Sequence, residues 1–199
     1  MYINEPIEKY IADLAAKQPV PGGGSSSGVS GAMGAALLEM TCNFTIGNEK
    51  YKEFENNVKR YLAELKDIRA CFEKAIDEDV RVYLAIKNAF RSKDARNIDE
   101  ALREGYVVSI KICKLSIKAM NIANELPDKT NPNLITDVGC GAELIEACFN
   151  SAVFNAKINL KGIKDEIFTE REKNLIEGLK KELSGIYKET IIRTEEKMR

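Results

Sequence analysis

Residues 51–89 read YKEFENNVKRYLAELKDIRACFEKAIDEDVRVYLAIKNA. Within them Tyr51, Phe54, Val58, Tyr61, Leu65, Ile68, Phe72, Ala75, Asp79, Val82, Ile86 and Ala89 recur at alternating steps of three and four. That spacing is the seam of a helix packed along its whole length. No proline interrupts it, so the spacing predicts one rod of about forty residues, roughly 60 Å long at 1.5 Å per residue. One member of the seam does not suit a core. An ionised carboxylate at Asp79 costs several kcal/mol unless it is paired or solvated. Two readings stay open from the pattern. Asp79 is either a polar register-setting residue bonded to a neighbouring helix, or a carboxylate facing a cleft with its pKa raised by burial.

The flanking sequence also reads as helix. Prolines fall only at Pro6, Pro19, Pro21, Pro127 and Pro132, and no alternating strand pattern or hairpin dipeptide occurs between them. A first helix is predicted over 6–17, with Ile7, Tyr10, Ile11 and Leu14 on one face. QPVPGGG at 18–24 breaks it, and a second helix follows over about 25–46, its first half built of Ser, Gly and Ala. A fourth runs over about 97–126, opened by the capping-box pattern Asn97-Ile-Asp-Glu100, with Gly105, Ser109, Ile112, Ser116, Ala119 and Ala123 forming a close-packing face. A fifth, over about 134–158 or slightly beyond, is apolar nearly all round and therefore central. A last helix spans about 168–197. The expected fold is all-α, a bundle of about six helices with a Gly-rich turn between the first two. Residues 1–199 read as one domain, with no repeat or linker.

Composition narrows the chemistry. The chain has no histidine, so Ser-His-Asp and Cys-His catalysis are excluded within it, as are Glu-x-x-His metal sites. Any general acid or base must be Asp, Glu, Lys, Tyr or Cys. Five cysteines occur without a C-x-x-C pair, which speaks against structural zinc and fits a reducing cytosol, so no metal is expected and the location expected is cytoplasmic. Lys and Arg number 30 against 31 Asp and Glu, so there is no global basic field for nucleic acid or an anionic membrane. The N-terminus shows no signal-peptide pattern, and no apolar run is long enough to span a bilayer.

Other polar residues stand where apolar ones belong. Asp137, Gly141, Leu144, Cys148, Ala152, Asn155 and Asn159 recur every three or four residues along the fifth helix. Asp137 reads most simply as a first-turn residue favoured by the helix dipole. Asn155 and Asn159 are either buried amides holding backbone or groups lining a cleft. The PVPGGGSSSG turn is neither a Walker loop nor G-x-G-x-x-G, because Gly-Lys-Ser/Thr is missing and Ser27 stands at the last glycine position. It is a tight turn before a close helix crossing, or a backbone surface for an oxygen ligand. Lys111, Lys114 and Lys118, and Lys157, Lys161 and Lys164, are solvated faces or a site for an anionic tail.

PGGGS at 21–25 followed by GVSGAMGAALL at 28–38 resembles the start of the cyclodeaminase/cyclohydrolase family, which contains methenyltetrahydrofolate cyclohydrolases and the cyclodeaminase domain of formiminotransferase-cyclodeaminase. DVRVY at 79–83 is similar to its Asp-x-x-Ala-Phe segment. NLITD at 133–137 is similar to Asn-Leu-x-Ser-Asp, and FNAKINL at 154–160 with IKD at 163–165 is similar to its ending. The departures are Val107-Val108-Ser109 where the family has Ser-Val-Pro, Thr136 for serine, and Ala156 for valine.

The resemblance implies an all-helical homodimer binding a folate at or near the subunit interface, and chemistry on the one-carbon unit bridging two folate nitrogens, with no further cofactor. It implies hydrolysis of 5,10-methenyltetrahydrofolate to 10-formyltetrahydrofolate. The alternatives are formiminotetrahydrofolate cyclodeamination, or a non-catalytic helical folate-binding or interaction protein. Asp79 is then the expected proton acceptor and Asp137 a second catalytic carboxylate. Asn155 and Asn159 would hold the pterin's amide face or the bridging atoms, and Gly22, Gly23, Gly24 and Ser25 a carbonyl or carboxylate.

Overall fold

A computed structural model describes all residues, Met1–Arg199. Six α-helices follow in order: α1 (Ile7–Ala15), α2 (Gly23–Thr45), α3 (Glu55–Ser92), α4 (Ala95–Glu125), α5 (Ile135–Gly162) and α6 (Glu166–Met198), with short 3-10 turns between some of them and no strand. The core is one continuous cluster of 35 buried residues.

The α3 seam is buried from Val58 through Ala75 and again at Val82, and the helix runs unbroken for 38 residues. Tyr51 and Phe54, the first two members of the pattern, lie instead in a 3-10 turn over Glu49–Phe54. α3 ends at Lys93, whose φ of 59° is left-handed and turns the chain sharply into α4. The cap of α4 is therefore Asp94, whose carboxylate accepts from the amides of Arg96 (2.8 Å) and Asn97 (3.3 Å). The Asn97–Glu100 pattern lies inside the helix, because the left-handed corner at Lys93 already starts it three residues earlier.

α2 packs between α3 and α5, and its small residues explain how closely. A methyl at Gly34 would come 2.9 Å from the Gly141 carbonyl oxygen, and one at Gly28 3.0 Å from that of Phe72. Ser30 Oγ donates to the Leu144 carbonyl at 2.8 Å, which ties α2 directly to the α5 backbone. α4 lies on the opposite side of α3 and α5, and its small face from Gly105 to Ala123 is buried. Ser109 and Ser116 return their hydroxyls to the carbonyls of Gly105 and Ile112, so this face carries hydroxyls without leaving them unpaired.

α5 is central, against α2, α4 and α6. It is not covered on every side, since Phe154 and Ile158 are exposed. α1 departs further from the amphipathic expectation. Its apolar face exists, but only Tyr10 is buried, and Ile7, Ile11 and Leu14 face outward.

Candidate active site

At the end of the bundle where α2 begins, α3, α4 and α5 enclose a cavity of about 620 Å³, closed over by the turn at 19–24 and the last turn of α5. That volume is typical of small-molecule sites, which span roughly 300–1,000 Å³.

Asp79 lies in its wall. The reason is local. Gly22 caps α2 without a side-chain acceptor, so the first amides of that helix lack a partner of their own. Asp79 approaches them from α3, its carboxylate packed against Gly24 and favoured in its charged form by the neighbouring Ser25 amide. Only glycine permits this approach, because a Cβ at Gly24 would fall 1.9 Å from Asp79 Oδ1. Burial pushes the Asp79 carboxyl above the usual aspartate range, and the Ser25 amide opposes that in part. Both readings of the misplaced seam aspartate therefore meet in one residue. It packs against a neighbouring helix, and it also faces a hollow.

Gly22, Gly23 and Gly24 line the cavity, as do Asn155 and Asn159. Asn155 donates through Nδ2 to the Ser151 carbonyl at 3.0 Å, and its amide lies beside Gly23. Asn159 presses on Gly105 of α4, where a Cβ would come 2.7 Å from its Nδ2. Ser25 does not reach the cavity with its side chain. It is fully buried, and its hydroxyl accepts from the Tyr10 hydroxyl at 3.1 Å. Its contribution to the site is the backbone amide.

Asp137 is not part of this arrangement. It sits in the first turn of α5, eighteen residues before Asn155 and so about 27 Å away along the helix axis. The stripe joining Asp137 to the asparagines is a real helix face, but a face that long reaches from one end of the bundle to the other. Nothing in this chain brings Asp137 to the Asp79 cavity.

The remaining walls come from residues with no polar signal. Tyr83, Ile86 and Phe90 follow Asp79 at helical spacing on α3, and Leu102 and Val108 face them from α4. Of the Val107-Val108-Ser109 departure, only Val108 touches the cavity. Asp79 and Lys161 are the only charged side chains among the lining residues.

No cysteine lines this cavity. All five are free, and burial pushes the Cys42, Cys113 and Cys148 thiols up to about 12. No group of three or more Asp, Glu or Cys is placed to hold a metal ion. No helix is long and apolar enough to cross a membrane.

Fold and site together define a helical bundle with a single carboxylate in an end cavity of ligand size. The family model of formiminotransferase-cyclodeaminase matches residues 6–177, and the chain belongs to that family. A methenyltetrahydrofolate cyclohydrolase of Methylorubrum extorquens is 36% identical, with 96% of each chain covered. The formimidoyltransferase-cyclodeaminase of Rattus norvegicus is 26% identical across 88% of this chain, which corresponds to 34% of that longer protein. The crystal structure of formiminotetrahydrofolate cyclodeaminase from Thermotoga maritima superposes with a TM-score of 0.94 at 26% identity, covering 98% of each chain.

Proposed function

We propose that this protein hydrolyses 5,10-methenyltetrahydrofolate to 10-formyltetrahydrofolate in the Asp79 cavity. The observation that carries the reading is the position of Asp79, a half-buried carboxylate with raised pKa facing a cavity with no other acid in it. The methenyl carbon bridges two nitrogens and carries an amidinium-like positive charge. Ionised Asp79 stabilises that cation. Water adds to the carbon while Asp79 accepts its proton, giving a neutral carbinolamine. The bond from that carbon to one nitrogen then breaks. The nitrogen takes up a proton and the hydroxyl loses one, leaving the formyl group on the other nitrogen. Overall one water is consumed and one proton is released. Tyr83 and Phe90 supply flat walls for the aromatic parts of the substrate, and Asn155 and Asn159 supply amides for the pterin.

The 36% relationship to a cyclohydrolase over nearly the full length of both chains supports water as the nucleophile. The close superposition on a cyclodeaminase supports a second reading, in which a folate nitrogen attacks a formimino carbon and ammonia leaves. Two assays separate them, namely loss of methenyl absorbance and release of ammonia from formiminotetrahydrofolate. The first reading expects turnover in the first assay well above any in the second, and the reverse result overturns it.

The cavity is polarised, with Asp79 as its one anion and Lys161 as its one cation. The substrate is polarised too, with a cationic one-carbon bridge and an anionic glutamate end. The matching orientation puts the bridge at Asp79 and the glutamate at Lys161. Lys161→Ala is expected to raise KM about twofold to fivefold with kcat unchanged, the scale of one exposed ion pair. An unchanged KM would place the glutamate elsewhere.

The functional form in this reading is a homodimer in the cytoplasm. Ile7 of α1 and Met33 and Phe44 of α2 rim a largely apolar groove of about 660 Å³ on the outer side of α2, and Ile7 is 62% and Phe44 61% exposed. A second copy burying this face accounts for it. Sedimentation equilibrium should give twice the 22.2 kDa chain mass, whereas a 22.2 kDa species would contradict the dimer. The five free cysteines fit a reducing compartment.

A further inference from the structure

Three serines open α2, and they are used differently. Ser26 and Ser27 return their hydroxyls to the Gly23 carbonyl, at 2.9 and 2.8 Å, securing their own first turn. Ser25 does not. Its hydroxyl accepts from the Tyr10 hydroxyl on α1, while the turn it belongs to lies against the Asp79 carboxylate of α3, which packs on Gly24 and is favoured in its charged form by the Ser25 amide. Tyr10 is the one buried residue of α1. Its ring is fixed edge-on by Tyr2, with centroids 5.4 Å apart and planes at 87°. Tyr2 is itself anchored, its amide donating to Asp77 Oδ1 at 2.6 Å and its hydroxyl to Asp13 Oδ2 at 3.1 Å.

We propose that Tyr10 is a positioning residue for Asp79, acting through Ser25 to hold the first turn of α2, and with it the amide that orients the carboxylate toward the cavity. The proposal rests on the reading of Asp79 as the proton acceptor. Ser25 is fully buried and bonded through its hydroxyl to Tyr10, so the direction of its N–H is set by α1 as well as by α2. The titratable and charged groups that share this corner are few. Tyr10 approaches from α1 with Tyr2 beside it, Asp77 and Tyr83 lie on α3 itself, and Lys161 comes from α5. α2 contributes the Ser25 amide, and the α4 wall of Leu102, Gly105 and Val108 is uncharged.

The test is Tyr10→Phe, which keeps the ring and removes the hydroxyl. The Asp79 carboxyl is followed by carbon NMR titration, alongside kcat and KM for methenyl hydrolysis. The Asp79 titration midpoint should move upward, because the bond favouring its charged form is loosened. kcat should fall about threefold to tenfold, the range of one hydrogen bond, with KM within about twofold. Ser25→Ala reads the same bond from its other end and should shift the titration in the same direction. In the double variant the Tyr10→Phe effect should vanish. A Tyr10→Phe protein with reduced melting temperature but unchanged Asp79 titration and kcat would overturn the proposal, as would additive effects in the double variant. The titration needs no substrate. A wild-type protein that hydrolyses no folate would therefore count against the functional reading, while the titration still decides for or against the Tyr10 link.

Discussion

Asp79→Asn is expected to lower kcat/KM for methenyl hydrolysis by about a hundredfold to ten-thousandfold, the usual cost of removing a positioned acid–base group. The amide keeps the size of the carboxyl and can still accept the Ser25 N–H, so the fold should survive. What it cannot do is take a proton or balance the cationic substrate. The pH dependence follows from the raised Asp79 pKa. Activity needs the ionised form, so it should fall as pH drops, with the acidic limb above the ordinary aspartate value of about 3.9. Stability should move the other way. Burial makes the charged form unfavourable in the folded chain, so the folded protein holds the Asp79 proton to higher pH than the unfolded chain does. The wild type therefore loses stability as pH rises through that interval. Asp79→Asn should melt at a higher temperature than wild type at neutral pH, and at a similar temperature in acid. An active Asp79→Asn enzyme would remove the proposed proton acceptor.

Gly24→Ala is expected to be nearly as damaging although it adds one methyl. That methyl would lie 1.9 Å from Asp79 Oδ1 and 2.5 Å from its Cγ. Either the carboxylate swings away or the α2 N-terminus lifts off α3, and both break the packing of Asp79 on the first turn of α2. Overpacking of this kind costs about 1–3 kcal/mol of stability. Activity should fall about a hundredfold, because the displaced group is the reacting one. The two causes can be separated by repeating the substitution in an Asp79→Ala background, where the obstructing atoms are gone. There Gly24→Ala should cost little further stability, measured by denaturant unfolding. An equal loss in both backgrounds would mean that the glycine is needed for the backbone alone.

Much of this site is legible in residue spacing, and the limits have physical causes. The seam from Val58 to Ala89 sets the length of α3, and an aspartate in such a seam stands out because charge is costly there. Asn155 and Asn159 stand out for the same reason on α5. Asp137 shares a helix face with the asparagines yet lies far from the Asp79 cavity, because periodicity reports which face a residue occupies and not how far along the rod it lies. Tyr83, Ile86 and Phe90 are silent in sequence, since an apolar cavity wall and a core have the same composition. The α1 face misleads in the opposite direction. Ile7, Ile11 and Leu14 have the spacing of a buried helix, yet they remain uncovered, and only tertiary structure separates a core face from one awaiting a second surface. Ser25 is read as a ligand contact from its motif, whereas its hydroxyl is already committed to Tyr10 and its amide is the group that matters.

The most direct measurement of the central claim is a crystal structure with a non-hydrolysable tetrahydrofolate analogue. The one-carbon bridge should lie within hydrogen-bond reach of Asp79, about 3 Å directly or through one water, with the glutamate end toward Lys161. An analogue lodged in the apolar groove between α1 and α2, with the Asp79 cavity empty, would contradict it.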